Sequence, residues 1–373
     1  MKPIIKWPGG KSREIDQIKA LIPQYKRYVE PFFGGGALFF HLMPEAAAIN
    51  DISAQLMEFY QLVKAQDKQL HKLLVCYDKS FQQLISACEN ESRTLIDLFF
   101  RFKYGVIDAC GLDEALEQLI PQLTNSLGTE FEETLLLKRA EFEQLLHKMA
   151  KDKYVRTVKN DAKRAFSLDD LRENLITGFT SGYYMYFRKV YNDIGLSRIE
   201  DPGAPYRMAN FYFIREYCYG SMFRYNAKGE FNIPYGGMSY NRKDMASKIE
   251  NMFNREVGMV FAGTEIHCAD FEEFVERIDL TEDDFMFLDP PYDTDFSDYE
   301  GKDFTRSDQA RLAETLRNTP AKFILVIKNT EYIYSLYEKD FNILSFDKQY
   351  TYNVRSRNDR GAEHLIITNL PVE

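Results

Sequence analysis

The sequence predicts an α/β fold in which an open, doubly wound sheet is interrupted by a large inserted unit. Short apolar runs of strand length alternate with helical patterns at both ends of the chain, which is typical of such a sheet. Between residues 56 and 180 the pattern changes to helical periodicity with many charges and few glycines. At roughly 100–200 residues per domain, a chain of 373 residues is long enough for two units.

The predicted strands are short, apolar and bounded by turn residues. In chain order they are Lys26 to Glu30, Ala46 to Asn50, Thr264–Cys268, Phe285–Leu288, Phe323–Ile327, Phe341–Phe346 and His364–Thr368. The last two have no long helical pattern between them, and this arrangement predicts an antiparallel pair that closes the sheet.

The middle of the chain is predicted to form a separate unit. We expect residues 1–55 and 256–373 to build the sheet, and residues 56–255 to form the insertion. Segments such as LDEALEQLIPQL predict a helical scaffold without chemistry of its own. Around residues 220–240 the run GSMFRYNAKGEFNIPYGGMSYNR predicts a hairpin whose turn spans Asn226–Gly229.

Composition restricts the class of protein. An apolar fraction of 45% excludes wholesale disorder, and no apolar run approaches the roughly 20 residues of a membrane-spanning helix. The N-terminus lacks the apolar core of a secretory signal. Five scattered cysteines without CxxC spacing predict a reduced, cytoplasmic compartment, with neither a disulfide framework nor a metal site.

The net charge of −10 would by itself argue against a nucleic-acid partner. The charges are unevenly distributed, however. Acidic residues are concentrated in 264–300, whereas basic residues outnumber acidic ones in 1–30 and in 183–243. Two locally basic segments could therefore face DNA, and binding is expected to depend strongly on salt.

The first motif that indicates chemistry is a glycine-rich turn after the first strand, Glu30-Pro-Phe-Phe-Gly34-Gly35-Gly36. Such a turn lets a ligand approach the backbone closely. Asp51 ends the next strand, where a carboxylate can accept both ribose hydroxyls of a nucleotide-like cofactor. The spacing is not GxGxxG, which disfavours a dinucleotide, and a purely structural turn remains the alternative.

A second motif, Lys6-Trp7-Pro-Gly-Gly-Lys11-Ser12, ends like a phosphate-binding P-loop. A P-loop requires glycine where this chain has Ile5, and no strand of useful length precedes the motif. The only tryptophan of the chain lies in this Gly/Pro loop, which favours a wall that faces a ligand over simple core packing.

The third motif is the run Phe285-Met-Phe-Leu-Asp289-Pro290-Pro291-Tyr292. Prolines have no N–H and stiffen the turn, so the Asp289 carboxylate and the Pro290 carbonyl project at fixed angles. Two fixed acceptors beside an aromatic ring suit a planar base that carries an exocyclic NH₂ group. An ordinary Pro-Pro turn is the alternative at this point.

Together these motifs resemble the DNA adenine-N6 methyltransferases of the Dam family, also called the D12 class. The matching segments occur in the family's order and are Trp7 to Lys11, Glu30 to Gly36, Asp51, Arg224-Tyr-Asn226 with Gly229 to Gly236, and Asp289-Pro-Pro-Tyr292. The resemblance implies a Rossmann-like S-adenosylmethionine-dependent methyltransferase fold with a mixed, mostly parallel sheet. It also implies methyl transfer to N6 of an adenine flipped out of double-stranded DNA, with GATC as the suggested site.

The resemblance also assigns residues, the cofactor S-adenosylmethionine and no metal. The catalytic residues it implies are Asp289, Pro290 and Tyr292. The cofactor-binding residues it implies are Trp7, Lys11, Glu30, Phe32, Gly34, Gly36, Asp51, Asp270, Phe271 and Asp289. A cognate restriction endonuclease acting on the same site, without a stable complex, is a further expected partner; an enzyme that acts alone is the other reading.

Predicted DNA contacts lie mainly on the hairpin and its flanks: Arg188, Arg224, Asn226, Lys228, Asn232, Tyr235, Arg242, Lys243, Arg355 and Arg357. Arg224 is the first choice for a bidentate guanine contact. Asn226 either reads adenine or takes the left-handed conformation of the turn. Arg188, Lys189, Arg242 and Lys243 are expected to contact phosphates, which position the protein without reading sequence. For each basic residue the alternative is a solvated surface charge.

Three other functions remain open from the residues. A cytosine-N4 methyltransferase uses a similar tetrad, although Asp289 in place of serine favours adenine. A catalytically silent DNA reader would be expected to have a damaged cofactor site, yet Trp7, Glu30 and Asp51 are present. An RNA methyltransferase is disfavoured because the hairpin resembles a reader of duplex DNA. The segment Asn232-Ile-Pro-Tyr235 copies the tetrad only superficially, since it lacks the first proline.

Overall fold

The computed structural model describes residues 1–8, 15–291, 304–347 and 363–371. The chain divides into two compact units. Unit 1 comprises Met1–Ala65 and Asn254–Glu373, and unit 2 comprises Gln66–Phe253.

Unit 1 is built on a seven-stranded sheet whose strands follow one another in space as β3-β2-β1-β4-β5-β7-β6. The strands are β1 (Arg27–Glu30), β2 (Ala47–Asn50), β3 (Thr264–His267), β4 (Asp284–Leu288), β5 (Lys322–Lys328), β6 (Asn342–Asp347) and β7 (Glu363–Thr368). All pairs are parallel except those made by β7, which runs antiparallel to both β5 and β6. The predicted mixed, mostly parallel α/β sheet and its closing antiparallel pair are confirmed.

The helices account for most of the remaining described chain. They are α1 (Ile15–Lys19), α2 (Ala37–Leu42), α3 (Ala54–Lys64), α4 (Lys68–Asn90), α5 (Ser92–Lys103), α6 (Ala109–Asn125), α7 (Gly128–Thr134), α8 (Arg139–Asp161), α9 (Leu168–Gly195), α10 (Ala204–Tyr217), α11 (Ala246–Met252), α12 (Arg255–Ala262), α13 (Phe271–Arg277), α14 (Arg306–Asn318) and α15 (Glu331–Tyr337). Single 3₁₀ turns lie at Tyr219–Ser221 and Met238–Tyr240.

The sheet is covered on both faces, which explains why its strands are continuous apolar runs rather than alternating ones. On one face, Met286 of β4 belongs to a core cluster with Phe274 of α13 and Leu312 of α14. On the other face, Tyr28 of β1 packs against Phe39 of α2, with ring centroids 6.2 Å apart. Burial of this kind fixes the strand ends, from which the candidate site is built.

The strand order reverses direction at β1 and β4. From β1 the chain passes through α2 to β2 on one side, whereas from β4 it passes through α14 to β5 on the other. In open α/β sheets, ligands bind in the crevice outside the carboxyl ends of the strands at such a switch point. Glu30 is the last residue of β1, and Asp289 directly follows β4.

Unit 2 is a helical bundle with an aromatic core. Helices α8 and α9 pack side by side, and α4 and α10 pack against α9. Between these helices, Tyr77 stacks on Phe213 at 4.8 Å between ring centroids, and Tyr183 contacts Phe187 at 4.9 Å. The hydroxyl of Tyr183 also shares a 2.7 Å hydrogen bond with Ser80. The helical periodicity of this stretch is thus explained by burial of large rings.

Candidate functional site

The glycine-rich turn after β1 has a conformation and a packing that only glycine tolerates. Gly34 and Gly36 have φ values of 49° and 63°, in the left-handed region. A Cβ on Gly34 would lie 2.8 Å from Cδ1 of Trp7, and one on Gly36 would lie 2.5 Å from Cζ of Phe33. The structure therefore brings two separately predicted elements, Trp7 and the turn, into direct contact.

Asp51 joins this turn to the loop after β2. One carboxylate oxygen accepts the backbone N–H of Gly34 at 2.9 Å, and the other accepts that of Ser53 at 2.9 Å. The hydroxyl of Tyr60 donates to the Gly34 carbonyl at 3.0 Å. Because each carboxylate oxygen has two lone pairs, Asp51 retains acceptor capacity for a ligand hydroxyl beside the turn.

Asn50 was not predicted, and it connects three strand ends. Its Nδ2 donates to the carbonyls of Pro31 and Ala269, both at 3.0 Å, while its Oδ1 accepts the Ala269 N–H at 2.9 Å. The side chain is almost fully buried. A lone amide at the end of an apolar strand is the sequence signal that could have indicated this role.

We expect Asn50→Leu to lower the free energy of unfolding by about 3 kcal/mol or more, because three buried backbone groups lose their partners. Urea denaturation measures the change. The matched control is Asn90→Leu at the exposed end of α4, which should stay within about 0.5 kcal/mol of the wild type. Equal unfolding midpoints for the wild type and Asn50→Leu would contradict the bridging role.

Glu30 is a buried carboxyl group, only 3% exposed, that accepts a 2.8 Å hydrogen bond from the Tyr28 hydroxyl. Burial raises the pKa of Glu30 well above its ordinary 4.5, and the charges of Asp289 and Asp51 raise it further. The Tyr28 hydrogen bond acts in the opposite direction. The three predicted site carboxyls of β1, β2 and β4 thus interact electrostatically.

This burial predicts a pH-dependent gain in stability for Glu30→Gln. Below the ordinary pKa of 4.5 the carboxyl is protonated in both folded and unfolded states and costs nothing. As the pH rises, the unfolded state ionises first, and each unit of upward pKa shift costs about 1.4 kcal/mol of stability. Glutamine still accepts from Tyr28 but does not ionise, so its advantage in melting temperature should grow between about pH 5 and about pH 8.

The control for this measurement is Glu282→Gln, at an exposed position before β4. Its melting temperature should follow that of the wild type at every pH. A difference between Glu30→Gln and the wild type that does not change with pH would argue against a buried, protonated Glu30.

The Asp289-Pro290-Pro291 turn follows β4, all of whose residues are buried. Asp289 is half-buried and Pro290 is buried. The carbonyl oxygen of Pro291 accepts a 2.9 Å hydrogen bond from Nε2 of Gln309 in α14. Four of the predicted site residues, namely Lys11, Tyr292, Arg355 and Arg357, lie outside the described residues.

Three predicted cofactor residues meet at the ends of β1 and β3. The rings of Phe32 and Phe271 are 5.4 Å apart between centroids. Asp270 begins α13 by accepting the Glu272 N–H at 3.0 Å, and it also accepts from the Arg311 guanidinium at 3.0 Å. That guanidinium lies 4.8 Å from the centroid of Phe271. Arg311 is a further contact that sequence reasoning missed.

The predicted hairpin of unit 2 is paired at two isolated bridges, Tyr225 with Phe231 and Cys218 with Tyr235. Asn226 shapes its turn through its side chain, whose Oδ1 accepts the N–H groups of Lys228 at 2.9 Å and Glu230 at 3.0 Å. The left-handed residue of the turn is Gly229, with φ 73°. The alternative that Asn226 takes the left-handed conformation is therefore wrong.

One face of α9 holds the hairpin by its backbone. Tyr184 donates to a carbonyl of residues 231–233 at 3.0 Å, and Arg188 donates to two of these carbonyls at 3.1 Å. Asn192 both donates to the segment at 3.1 Å and accepts from it at 2.8 Å. Their spacing of four residues places these side chains on one helix face. Burial lowers the pKa of the Arg188 guanidinium.

At the outer side of the hairpin, Arg224 and Lys228 are exposed. Nε of Arg224 donates to Oδ1 of Asn232 over a long 3.4 Å. Two of the predicted DNA contacts are therefore neighbours.

The remaining predicted DNA contacts differ in exposure. Arg242 is exposed and pairs with Glu173 at 2.8 Å. Nζ of Lys243 lies 3.7 Å from the ring centroid of Tyr240. Tyr235 is buried and donates to Asn241 at 2.6 Å. The assignment of these residues to DNA stays a prediction.

Two searches of the described residues gave no hit. Within that part of the chain there is no group of three or more His, Cys, Asp or Glu side chains arranged to hold a metal ion. None of its helices combines the length and the apolar character needed to cross a membrane.

Comparison with known proteins agrees with these features. The D12 class N6 adenine-specific DNA methyltransferase family matches residues 7–131 and 140–352. The type II methyltransferase M.MjaIII of Methanocaldococcus jannaschii is 26% identical, over 99% of each chain. M1.LlaDCHI of Lactococcus lactis is 23% identical over 99% of this chain and 95% of its own. A DNA adenine methylase of Vibrio cholerae is 21% identical over 85% of this chain and 76% of its own. With a sheet consistent with S-adenosylmethionine-dependent methyltransferases, the chain belongs to the D12 class of N6 adenine-specific DNA methyltransferases.

Proposed function

We propose that the protein transfers the methyl group of S-adenosylmethionine to N6 of an adenine that has left the stack of double-stranded DNA. The observation that carries this proposal is the grouping of Glu30, Asp51 and Asp289 at the carboxyl ends of neighbouring parallel strands. These strand ends surround a glycine turn at the switch point of the sheet, where α/β folds bind their ligands.

The residues of unit 1 fit S-adenosylmethionine. Gly34 and Gly36 leave the turn without side chains, so a ligand can approach its backbone, and Trp7 walls it on one side. Asp51 would accept the ribose hydroxyls with its remaining lone pairs. The aromatic pair Phe32 and Phe271 offers an apolar surface to the cofactor's adenine ring, with Asp270 at its edge. When bound, the cofactor supplies an electrophilic methyl group on a sulfonium.

The chemistry asked of the protein is mainly positioning. The lone pair of an adenine amino group is delocalised into the ring. Hydrogen bonds from N6–H₂ to the Asp289 carboxylate and the Pro290 carbonyl favour a pyramidal nitrogen whose lone pair can attack. An N–C bond forms as the C–S bond breaks, and N6 then releases a proton. Asp289 need not be a strong base, because the nitrogen loses its proton most easily after it has gained the methyl group.

Access to N6 requires base flipping, because an atom inside the stack cannot reach a cofactor. Tyr292 is proposed to stack on the flipped base. Exposed Arg224 is proposed to read a guanine in the major groove, and Arg242 and Lys243 to contact phosphates. Dam-type resemblance of the hairpin supports GATC as the recognised site.

The test uses S-adenosylmethionine with a labelled methyl group and unmethylated duplex DNA, followed by digestion to nucleosides and chromatography. Label in N6-methyladenine is the expected result, and label in N4-methylcytosine would refute the choice of base. DNA binding without any transfer would favour a silent reader. Single-molecule sequencing of DNA from cells that express the protein identifies the site, and methylation confined to sequences other than GATC refutes only that assignment.

A paired restriction endonuclease forms a separate part of the proposal, supported by relatives that are named type II methyltransferases. An extract of the source cells should then cleave unmethylated plasmid DNA and spare plasmid that the purified protein has methylated. Equal survival of both plasmids would indicate an enzyme that acts alone.

A further inference from the structure

Gln309 of α14 is the polar side chain that contacts the Pro-Pro turn from the interior of unit 1. It is fully buried, and its Nε2 donates to the Pro291 carbonyl at 2.9 Å. We propose that Gln309 is a positioning residue, which holds the turn after Asp289 in the geometry required for methyl transfer. This inference rests on the proposed role of Asp289 and Pro290 as acceptors for the adenine amino group.

The turn needs a donor from elsewhere in the chain. Pro290 and Pro291 have no N–H, so their backbone can take part in hydrogen bonding only through carbonyl oxygens. A carbonyl accepts and cannot donate, and the Gln309 amide therefore presents its NH₂ end to Pro291. This bond is the only one from a side chain to the carbonyl of either proline among the described residues.

Fixing the Pro291 carbonyl also fixes the Pro290 carbonyl. The peptide bond between the two prolines is planar, and the pyrrolidine ring locks φ of Pro291 near −65°. Rotation about these bonds cannot absorb a displacement, so the two carbonyl groups are oriented together. A donor on Pro291 thus determines the direction of the proposed acceptor on Pro290.

Gln309 is itself mounted on a rigid element. Helix α14 starts with a reciprocal capping box between Thr305 and Asp308. The Gln309 N–H bonds to the Thr305 carbonyl at 3.0 Å, and Leu312 and Leu316 anchor the helix in the core. A site group is placed most precisely by a side chain that packing and capping hold in one rotamer.

The other end of the amide argues against a purely structural role. Oε1 of Gln309 is buried and has no hydrogen-bond partner within the described part of the chain. Such an acceptor costs about 1–3 kcal/mol. An apolar side chain of similar size would fill the same space without that cost, so glutamine here favours geometry over stability.

Gln309→Leu removes the donor and keeps most of the volume. We expect a melting temperature equal to or above that of the wild type. The kcat for methyl transfer should fall about ten- to a hundredfold, because a misplaced acceptor raises the barrier of the chemical step. The KM for S-adenosylmethionine should stay within about twofold, since Gln309 contacts none of the proposed cofactor residues.

Gln309→Glu gives a readout that a structural role would not produce. The introduced carboxyl can donate to the Pro291 carbonyl only when it is protonated, and burial favours that form. The ratio of its kcat to that of the wild type should therefore rise as the pH falls from about 8 to about 6. Because one folded variant is compared with itself across pH, this result does not depend on how Gln309→Leu folds.

The matched control is Gln122→Leu and Gln122→Glu on the exposed face of α6, both expected to keep wild-type kcat at every pH. A wild-type kcat for Gln309→Leu, or a ratio for Gln309→Glu that does not change with pH, overturns the positioning role while leaving adenine methylation intact. If the wild type itself transfers no methyl group, the proposed function fails. In that case crystal structures decide, and an unmoved Pro291 carbonyl in Gln309→Leu overturns the inference.

Discussion

Asp289→Ala is expected to abolish measurable methyl transfer while the protein stays folded and still binds DNA. The expected loss is at least about 10³-fold, comparable to the removal of a key electrostatic group from an active site. Asp289 is half-buried at the end of a strand whose apolar residues make the packing contacts, so truncation beyond Cβ should cost little stability. Initial rates with labelled S-adenosylmethionine, a thermal melt and a gel-shift titration measure the three properties.

Two variants calibrate this result. Asp289→Asn keeps one acceptor oxygen and should retain more activity than Asp289→Ala. Asp283→Ala removes a carboxylate that is exposed and pairs with Lys26 at 2.7 Å, and it should behave like the wild type. Near-normal rates for Asp289→Ala would remove Asp289 from the mechanism.

Arg224→Ala is expected to relax recognition at one guanine of the target site. A bidentate arginine–guanine contact is worth about 1–3 kcal/mol of discrimination against a wrong base, or about 5- to 150-fold in kcat/KM. Arg224 is exposed, and its contact with Asn232 is long, 3.4 Å. The guanidinium can therefore leave that contact for a base edge at little cost.

The measurement compares kcat/KM on the cognate duplex with kcat/KM on duplexes substituted at one position each. Discrimination should collapse at one guanine and persist elsewhere. Arg101→Ala on α5, an exposed arginine of the same unit paired with Asp97, serves as the control and should change no ratio. Discrimination by Arg224→Ala that equals that of the wild type at every position would refute the assignment.

Most of the sheet could be predicted because its strands are buried on both faces. A run such as Phe323 to Ile327 is apolar throughout and too short for a helix, so its state follows from composition alone. The hairpin was predicted from its turn residues, yet its pairing is limited to two bridges because α9 satisfies much of its backbone. Asn226 illustrates a local error, since a neighbouring glycine takes the left-handed position.

The catalytic motifs were predictable for a different reason: each is contiguous, as in Glu30 to Gly36 or Asp289 to Tyr292. Asn50 and Gln309 were not, because each acts on a partner far along the chain. Asn50 contacts Ala269 across 219 residues, and Gln309 reaches back 18 residues to Pro291. A single polar contact has no periodicity and no spacing rule, so it becomes visible only when the fold brings both partners together.

The attachment of the hairpin to α9 has a consequence for how target preference can change. Tyr184, Arg188 and Asn192 grip main-chain atoms of residues 231–233, which every amino acid except proline at an N–H position supplies. Exposed side chains such as Arg224 and Lys228 are largely independent of this grip. Substitutions among them can alter the bases that are read while the mount is preserved, so the hairpin behaves as an exchangeable reading head on a fixed helical support.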